Sequence, residues 1–121
     1  MKLPKTLINK EGYYIREIQL SDADHYRALL NHVEVKPFIP SQLLPTSLFD
    51  MIRIITALKA LSSANKGAYW ALCHPDGHLI GALGFESWNA THLRLEVAFE
   101  LHPDHQGKGL MTQAMERIID F

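Results

Sequence analysis

The chain has 121 residues, with 12 lysines and arginines against 13 aspartates and glutamates and a formal net charge of −1. This length suits one modest domain, and the hydrophobic fraction of 47% is that of an ordinary globular protein. The lack of a basic excess argues against broad nucleic-acid binding. The single cysteine, Cys73, excludes a disulfide within the chain.

The N-terminal residues 1–9 lack the long apolar core and the small-residue cleavage site of a signal peptide. No apolar run approaches the roughly 20 residues that a membrane-spanning helix requires. We therefore expect a cytoplasmic protein that has neither a membrane nor a nucleic acid as partner.

The first half of the chain predicts one strand and two helices. Alternating residues over Tyr13–Leu20 predict the strand, and Ser21 is expected to cap the first helix. Its apolar side is expected to carry Leu29, Leu30 and Val33. Three prolines mark Lys36–Pro45 as a loop, after which Thr46 or Ser47 can cap a second helix. Its apolar residues recur at helical spacing: Leu48, Met51, Ile52, Ile55, Leu58 and Leu61.

The second half predicts a hairpin, a further strand and a final helix. Ala68–His74 and Leu79–Ser87 flank the turn sequence Pro75-Asp76-Gly77, and Leu93–Leu101 alternates in the manner of a strand. One face of this strand carries Leu93, Leu95, Val97, Phe99 and Leu101, and the other carries Arg94, Glu96, Ala98 and Glu100. The final helix has an apolar side made of Leu110, Met111, Ala114, Met115, Ile118 and Ile119.

The predicted order is β-α-α-β-β-β-α, which is a mixed α/β (α+β) fold in a single domain over residues 1–121. No glycine, asparagine or proline follows the final helix as a stop signal. We therefore expect the chain to end before the fold is complete.

Two glycines and a lysine stand where the final helix begins. A helix N-terminus presents backbone N–H groups without partners and a partial positive charge, and so attracts anions. Gly107 and Gly109 lack Cβ atoms, so a bulky anion can approach the backbone closely, and Lys108 adds a positive charge. These residues predict a phosphate or pyrophosphate site between Gln106 and Met111.

Two nucleotide motifs do not match this turn. The Walker pattern is absent, and the dinucleotide fingerprint fails because Thr112 stands in place of its third glycine. The segment Gln106–Met111 instead resembles the acyl-CoA motif of the GCN5-related N-acetyltransferases (GNAT), although Met111 departs from the strict Gly/Ala. His102–His105 and Ile15–Asp24 are also similar to that family, in its branch that acetylates ribosomal-protein N-termini.

The resemblance implies a mostly antiparallel sheet with flanking helices and no counterpart of the family's C-terminal strands. It also implies acetyl-CoA as co-substrate, a primary amine as acceptor and no metal. Backbone groups of the motif would hold the pyrophosphate: Gln106, Gly107, Lys108, Gly109, Leu110 and Met111. The pantetheine arm would lie beside Ala98, Phe99 and Leu101.

The resemblance further implies a carboxylate that takes a proton from the amine. Glu96 and Glu100 share the polar face of the last strand, and the ribosomal branch favours Glu96. The alternative is that both are solvated or pair with Arg94. The family's thiolate-protonating tyrosine lies on a helix that has no counterpart here. The loop at Lys36–Pro45 is expected beside the acceptor, or else packed over the core.

Three further expectations concern alternatives. Cys73 is expected to be a buried small hydrophobe rather than a nucleophile. The pairs His74/His78 and His102/His105 make no recognised zinc pattern. The alternative to an enzyme is a non-catalytic, truncated piece of this fold that binds CoA weakly or self-associates. An open strand edge predicts a homo-oligomer in either case, including one that exchanges elements between copies.

Overall fold

The computed structural model describes residues 5–39, 41, 44–64, 66–89 and 94–119, but not the side chains of 86–98 and 119. Within these residues the elements are β1 (Thr6–Leu7), β2 (Tyr14–Glu17), α1 (Ala23–Leu30), α2 (Leu48–Ser63), β3 (Gly67–Cys73), β4 (Leu79–Asn89), β5 (Arg94–Leu101) and α3 (Leu110–Ile119). Short 3₁₀ turns cover Leu20–Asp22, Lys36–Phe38 and Pro103–His105. None of the described helices is long and apolar enough to cross a membrane.

The strands form one antiparallel sheet in the order β1-β2-β3-β4-β5. This confirms the predicted mixed α/β class and the order of the predicted elements, and adds the short strand β1 before them. The predicted hairpin is also confirmed, since Gly77 has φ 108° and its N–H donates to the carbonyl of His74 at 2.8 Å. A positive φ of this kind is why glycine stands at that point of the turn.

Helices cover both faces of the sheet. On one face α1 and α2 pack over a core that includes Tyr26, Leu29, Leu30, Met51, Ile55, Ala71, Cys73 and Ala82. On the other face α3 packs over Ile8, Tyr13, Ile15, Trp70, Leu72, Ile80, Leu83, Leu110 and Ala114. The apolar side predicted for the final helix is confirmed for its described side chains, because Met111, Met115 and Ile118 also pack against this second core.

The predicted start of α1 was wrong. The first strand ends at Glu17, and Ser21 lies inside the 3₁₀ turn, so the N-cap position of α1 falls on Asp22. Val33 lies beyond the helix and is 79% exposed, rather than on its apolar side. The cap of α2 is confirmed, since the Ser47 hydroxyl accepts the N–H of Asp50 at 3.1 Å.

A buried ion pair explains why the chain turns at Asp22. The two guanidinium nitrogens of Arg16 donate to the two carboxylate oxygens of Asp22, at 2.8 and 2.7 Å. The same carboxylate accepts the backbone N–H of Gln19 at 2.8 Å. The Asp22 side chain is 5% exposed and that of Arg16 is 23% exposed. This bidentate pair raises the pKa of Arg16 and joins the sheet to the start of α1.

Replacing one member of this pair leaves the other charge without its partner. We expect Asp22→Asn to lower the free energy of unfolding by about 3 kcal/mol, because a half-broken buried pair is strongly destabilising. Urea denaturation at pH 7 measures the change. The exposed Asp24 gives a matched control, and Asp24→Asn should cost no more than about 1 kcal/mol. Equal effects of the two substitutions would show that the pair does not stabilise the turn.

Candidate functional site

A cleft of about 1020 Å³ opens beside the end of β5. It brings together three segments that are far apart in the sequence: Phe38 and Ile39 after α1, Phe99–Leu101 at the end of β5, and the turn before α3. The turn contributes Gln106, Gly107, Gly109, Leu110 and Met111. Most of the residues predicted to serve the site therefore share one cavity, while Lys108 is exposed beside it.

The glycine turn has the open geometry that an anion site requires. Gly107 and Gly109 have φ angles of 80° and 72°, a backbone conformation that L side chains rarely adopt. A Cβ atom built on either glycine would meet nothing within 4 Å. The N–H of Gln113 bonds to the carbonyl of Gly109 at 3.0 Å, so α3 forms its helical hydrogen bonds from that point. The N–H groups preceding Gln113 at this end lack intrahelical partners and are available to an anion.

The turn is attached to the end of β5 by a side-chain hydrogen bond. Nε2 of Gln106 donates to the backbone carbonyl of Leu101 at 3.2 Å. Between them, the 3₁₀ turn at Pro103–His105 is capped by His102, whose Nδ1 accepts the N–H of Asp104 at 3.1 Å. These bonds set the position of the glycines relative to the strand.

The outer edge of β5 carries the backbone groups of alternate residues. The N–H of His102 donates to the carbonyl of Ile80 at 2.8 Å. The backbone groups of His102 therefore lie on the side of the chain that faces β4. Because the bonding side alternates along an antiparallel strand, those of Glu100 and Ala98 face β4, and those of Phe99 and Leu101 face outward. Within the described sheet β5 pairs with β4 alone, so this edge is open to a ligand.

Glu100 lies on the sheet face covered by α1 and α2. It pairs across the sheet with Ala82, a residue of the core beneath those helices, and is half-buried. The alternative of a fully solvated side chain therefore does not hold for Glu100. Burial raises the pKa of its carboxyl to about 7, which suits a group that exchanges a proton near neutral pH. The side chain of Glu96 lies outside the described residues.

Two tyrosines beside Glu100 were missed in the sequence. Tyr26 of α1 and Tyr69 of β3 line the same cleft. The pKa of Tyr26 is raised well above its ordinary value, mainly by burial and to a smaller extent by the charges of Glu100 and Tyr69. Its hydroxyl therefore stays protonated. The helical spacing could have predicted the position of Tyr26. It lies three residues before Leu29 and four before Leu30, and so on the same face of the helix. Tyr69 shares a strand face with Ala71 and Cys73.

The other candidate residues have simpler environments. Cys73 is a buried free thiol, and burial raises its pKa to about 11, which confirms a packing residue rather than a nucleophile. The loop after α1 is packed over the core in part, because Ile39 and Leu44 pack against the core beneath α1 and α2, while Phe38 is 84% exposed at the mouth of the cleft.

The described residues thus form an antiparallel sheet between two helical layers, with an open edge strand that leads into a Gly-x-Gly helix start. The profile described as the acetyltransferase (GNAT) domain matches residues 13–121. The chain belongs to this family.

Two curated relatives come from bacilli, and both are called uncharacterized N-acetyltransferases. YoaA of Bacillus subtilis is 23% identical over 95% of this chain and 65% of its own length. The protein p20 of Bacillus licheniformis is 26% identical over 92% of this chain and 62% of its own length. The chain thus spans a little under two thirds of the length of these relatives.

Solved structures share the fold. A ribosomal-protein-S5-alanine acetyltransferase from Vibrio fischeri has a TM-score of 0.78 at 23% identity, over 93% of this chain and 64% of its own. RimL, a ribosomal alpha-N-protein acetyltransferase in complex with coenzyme A, has a TM-score of 0.82 at 13% identity, over 97% and 66%. The acetyltransferase MccE, in complex with acetyl-CoA and AMP, has a TM-score of 0.78 at 16% identity, over 93% and 63%.

The raised pKa of Glu100 has a consequence for stability. Between its ordinary pKa of 4.5 and its folded value of about 7, the carboxyl ionises in the unfolded chain before it does in the folded one. The contribution of Glu100 to the free energy of unfolding is therefore fully present below pH 4.5 and is lost as the pH rises through 7. We expect Glu100→Gln to be more stable than the wild type at pH 8, and the difference to disappear near pH 4.5.

Urea denaturation at both pH values measures this difference. Glu116→Gln, on the exposed side of α3, is the matched control and should show no comparable change with pH. A stability difference for Glu100→Gln that stays constant from pH 4.5 to 8 would contradict the assigned environment of Glu100.

Proposed function

We propose that this chain is an acetyl-CoA-dependent N-acetyltransferase that acts on a primary amine. One observation carries this proposal: the glycine turn and the carboxyl of Glu100 open into the same cleft. An anion site and a proton acceptor in one cavity are what acetyl transfer from a phosphate-bearing thioester needs.

The described residues fit acetyl-CoA as the donor. The open space over Gly107 and Gly109 suits a pyrophosphate held by backbone N–H groups, with Lys108 supplying positive charge. The outward backbone groups of Phe99, and the N–H of Leu101, suit the amides of a pantetheine arm added alongside β5. Binding of coenzyme A by the fold neighbour RimL, and of acetyl-CoA by MccE, supports this assignment.

Glu100 is proposed to be the general base. A protonated amine is not nucleophilic, so it must lose a proton before it attacks the thioester carbonyl. The carboxylate of Glu100 takes this proton, directly or through a water molecule. The neutral amine then forms the new C–N bond and the C–S bond breaks, and the second proton that the nitrogen loses goes to the departing thiolate through solvent. Glu96, on the same strand face, is retained as the second candidate for the base.

The acceptor is proposed to enter past the loop after α1. Phe38 presents an apolar surface there that is 84% exposed, and Ile39 lines the cleft beside it. Contact with these side chains favours an amine attached to an apolar group, such as a protein N-terminus or a small amine. The ribosomal fold neighbours, which are named as an S5-alanine acetyltransferase and an alpha-N-protein acetyltransferase, support the protein N-terminus.

Binding of acetyl-CoA tests the glycine turn. Asparagine tolerates a left-handed φ better than most residues do, so Gly109→Asn keeps the turn and fills the space that the pyrophosphate would occupy. We expect this variant to bind acetyl-CoA at least about tenfold more weakly, a loss of about 1.4 kcal/mol. Titration calorimetry measures the affinity.

The matched control is Gly77→Asn, which changes a positive-φ glycine in the β3–β4 turn outside the cleft. This substitution should leave the affinity unchanged. A folded wild type without saturable binding, or a Gly109→Asn variant that binds as well as the wild type, would overturn the assigned turn.

Turnover tests Glu100. We expect Glu100→Gln to bind acetyl-CoA as the wild type does, but to release CoA about 10²- to 10⁴-fold more slowly in the presence of an acceptor peptide. The wild-type rate should rise with pH to a plateau above about 7, because the base must be ionised. A thiol-detecting assay measures the rate of CoA release and its pH dependence.

Glu116→Gln is the control and should release CoA at the wild-type rate. An active Glu100→Gln together with an inactive Glu96→Gln would show that Glu96, not Glu100, is the general base.

A second candidate function is a non-catalytic CoA-binding chain that self-associates. The open edge of β5, beside a Phe99 side chain that is 61% exposed, favours it, because unpaired strand edges drive association. Sedimentation with and without acetyl-CoA separates the two candidates. A homo-oligomer that binds the thioester but shows no turnover would favour the second, and a monomer that turns over would exclude it.

A further inference from the structure

Six histidines form a continuous network of ring contacts on the folded molecule. His74 is central, with its ring stacked on that of His78 at 5.1 Å between centroids and edge-on to His105 at 5.7 Å. His25 of α1 stacks on His78 at 5.3 Å. The network continues from His105 through His102 to His32, at 6.1 and 4.9 Å. Four segments of the chain contribute to it.

Asp76 places a carboxylate between the two stacked rings. One oxygen lies 3.3 Å from Nδ1 of His74, and the other contacts Nδ1 of His78. The side chain is 57% exposed, so a solvated ion can reach it. The backbone N–H of His78 donates to this carboxylate at 3.1 Å, which fixes its place in the turn.

We propose that His74, Asp76 and His78 bind a divalent transition-metal ion of the zinc type at the tip of the β3–β4 hairpin. Among the described residues, these are the ones whose ligand atoms gather in this way, all within 4.8 Å of one another. Imidazole nitrogens and a carboxylate oxygen are ligands that zinc takes at about 2.0–2.2 Å. A tetrahedral arrangement brings such atoms to about 3.4 Å apart, which the exposed turn reaches by small side-chain rotations.

The surrounding rings hold the two proposed ligand side chains in place. The ring of Tyr13 packs edge-on against His74 at 5.4 Å, and His25 covers His78 from α1, so both ligand rings are held from outside the turn. Nδ1 of His105 is buried without a hydrogen-bond partner in the described structure. Three protein ligands leave the fourth position to water.

Calorimetric titration of the chain, without a histidine tag and after treatment with EDTA, tests the site with ZnCl₂. Cobalt(II) serves as a spectroscopic probe, because tetrahedral nitrogen and oxygen coordination gives visible absorption. We expect one equivalent to bind the wild type, and binding at least about tenfold weaker in His78→Ala and in Asp76→Asn. Both substitutions lie on an exposed turn, and circular dichroism checks that each variant folds.

His32→Ala is the matched control, since His32 lies at the far end of the network and should keep the wild-type affinity within about twofold. A wild type that binds neither ion at 1 mM would overturn the proposal. So would equal losses in His32→Ala and His78→Ala, which would show diffuse binding over the network. Since the readout is metal affinity, failure here is independent of acetyl transfer.

Discussion

The antiparallel pairing of β5 with β4 is the constraint on which the candidate site depends. It matches Glu100 with Ala82 and Leu101 with Gly81. This register turns the carboxyl of Glu100 toward the α1 and α2 layer and leaves the backbone groups of Phe99 on the outer edge. A shift by one residue would exchange the two faces of the strand and turn the carboxyl of Glu100 away from the α1 and α2 layer. The proposed proton acceptor and the proposed ligand edge thus follow from the same set of hydrogen bonds.

Close packing behind the strand holds this arrangement. A Cβ atom on Gly84 would lie 2.5 Å from the carbonyl of Ala68 and from the ring of Tyr69. Glycine at that position therefore lets the Tyr69 ring lie across β4, where it forms part of the cleft wall beside Glu100. Gly81 has a similar role nearer the end of the strand, since its Cβ would lie 2.8 Å from the carbonyl of Glu100. The small residues of β4 thus let the chain pack closely around Glu100, the proposed base.

Local pattern predicted most of the fold, because strands and helices of this chain are amphipathic at their own periods. The strand β1 escaped prediction because two residues, Thr6 and Leu7, carry no period and form a strand only by pairing with β2. The sequence pattern did not predict the partial burial of Glu100, for another reason. A polar strand face is usually solvated, but helices cover both faces here. The histidine network joins segments up to 80 residues apart, from His25 to His105, and local spacing carries no signal for it.

The two electrostatic tasks proposed for the cleft are separated by burial. An anion site benefits from exposed N–H groups and a mobile cation, and Gly107, Lys108 and Gly109 are all exposed. A general base near neutral pH needs the opposite, a site where loss of solvation raises the pKa of a carboxyl. The end of β5 supplies both within a few residues, because Glu100 points inward while the chain after Leu101 leaves the sheet for the surface. Placing Lys108 deeper in the cleft would lower the pKa of Glu100 and weaken it as a base, so the outward position of the lysine follows from the chemistry proposed for the glutamate.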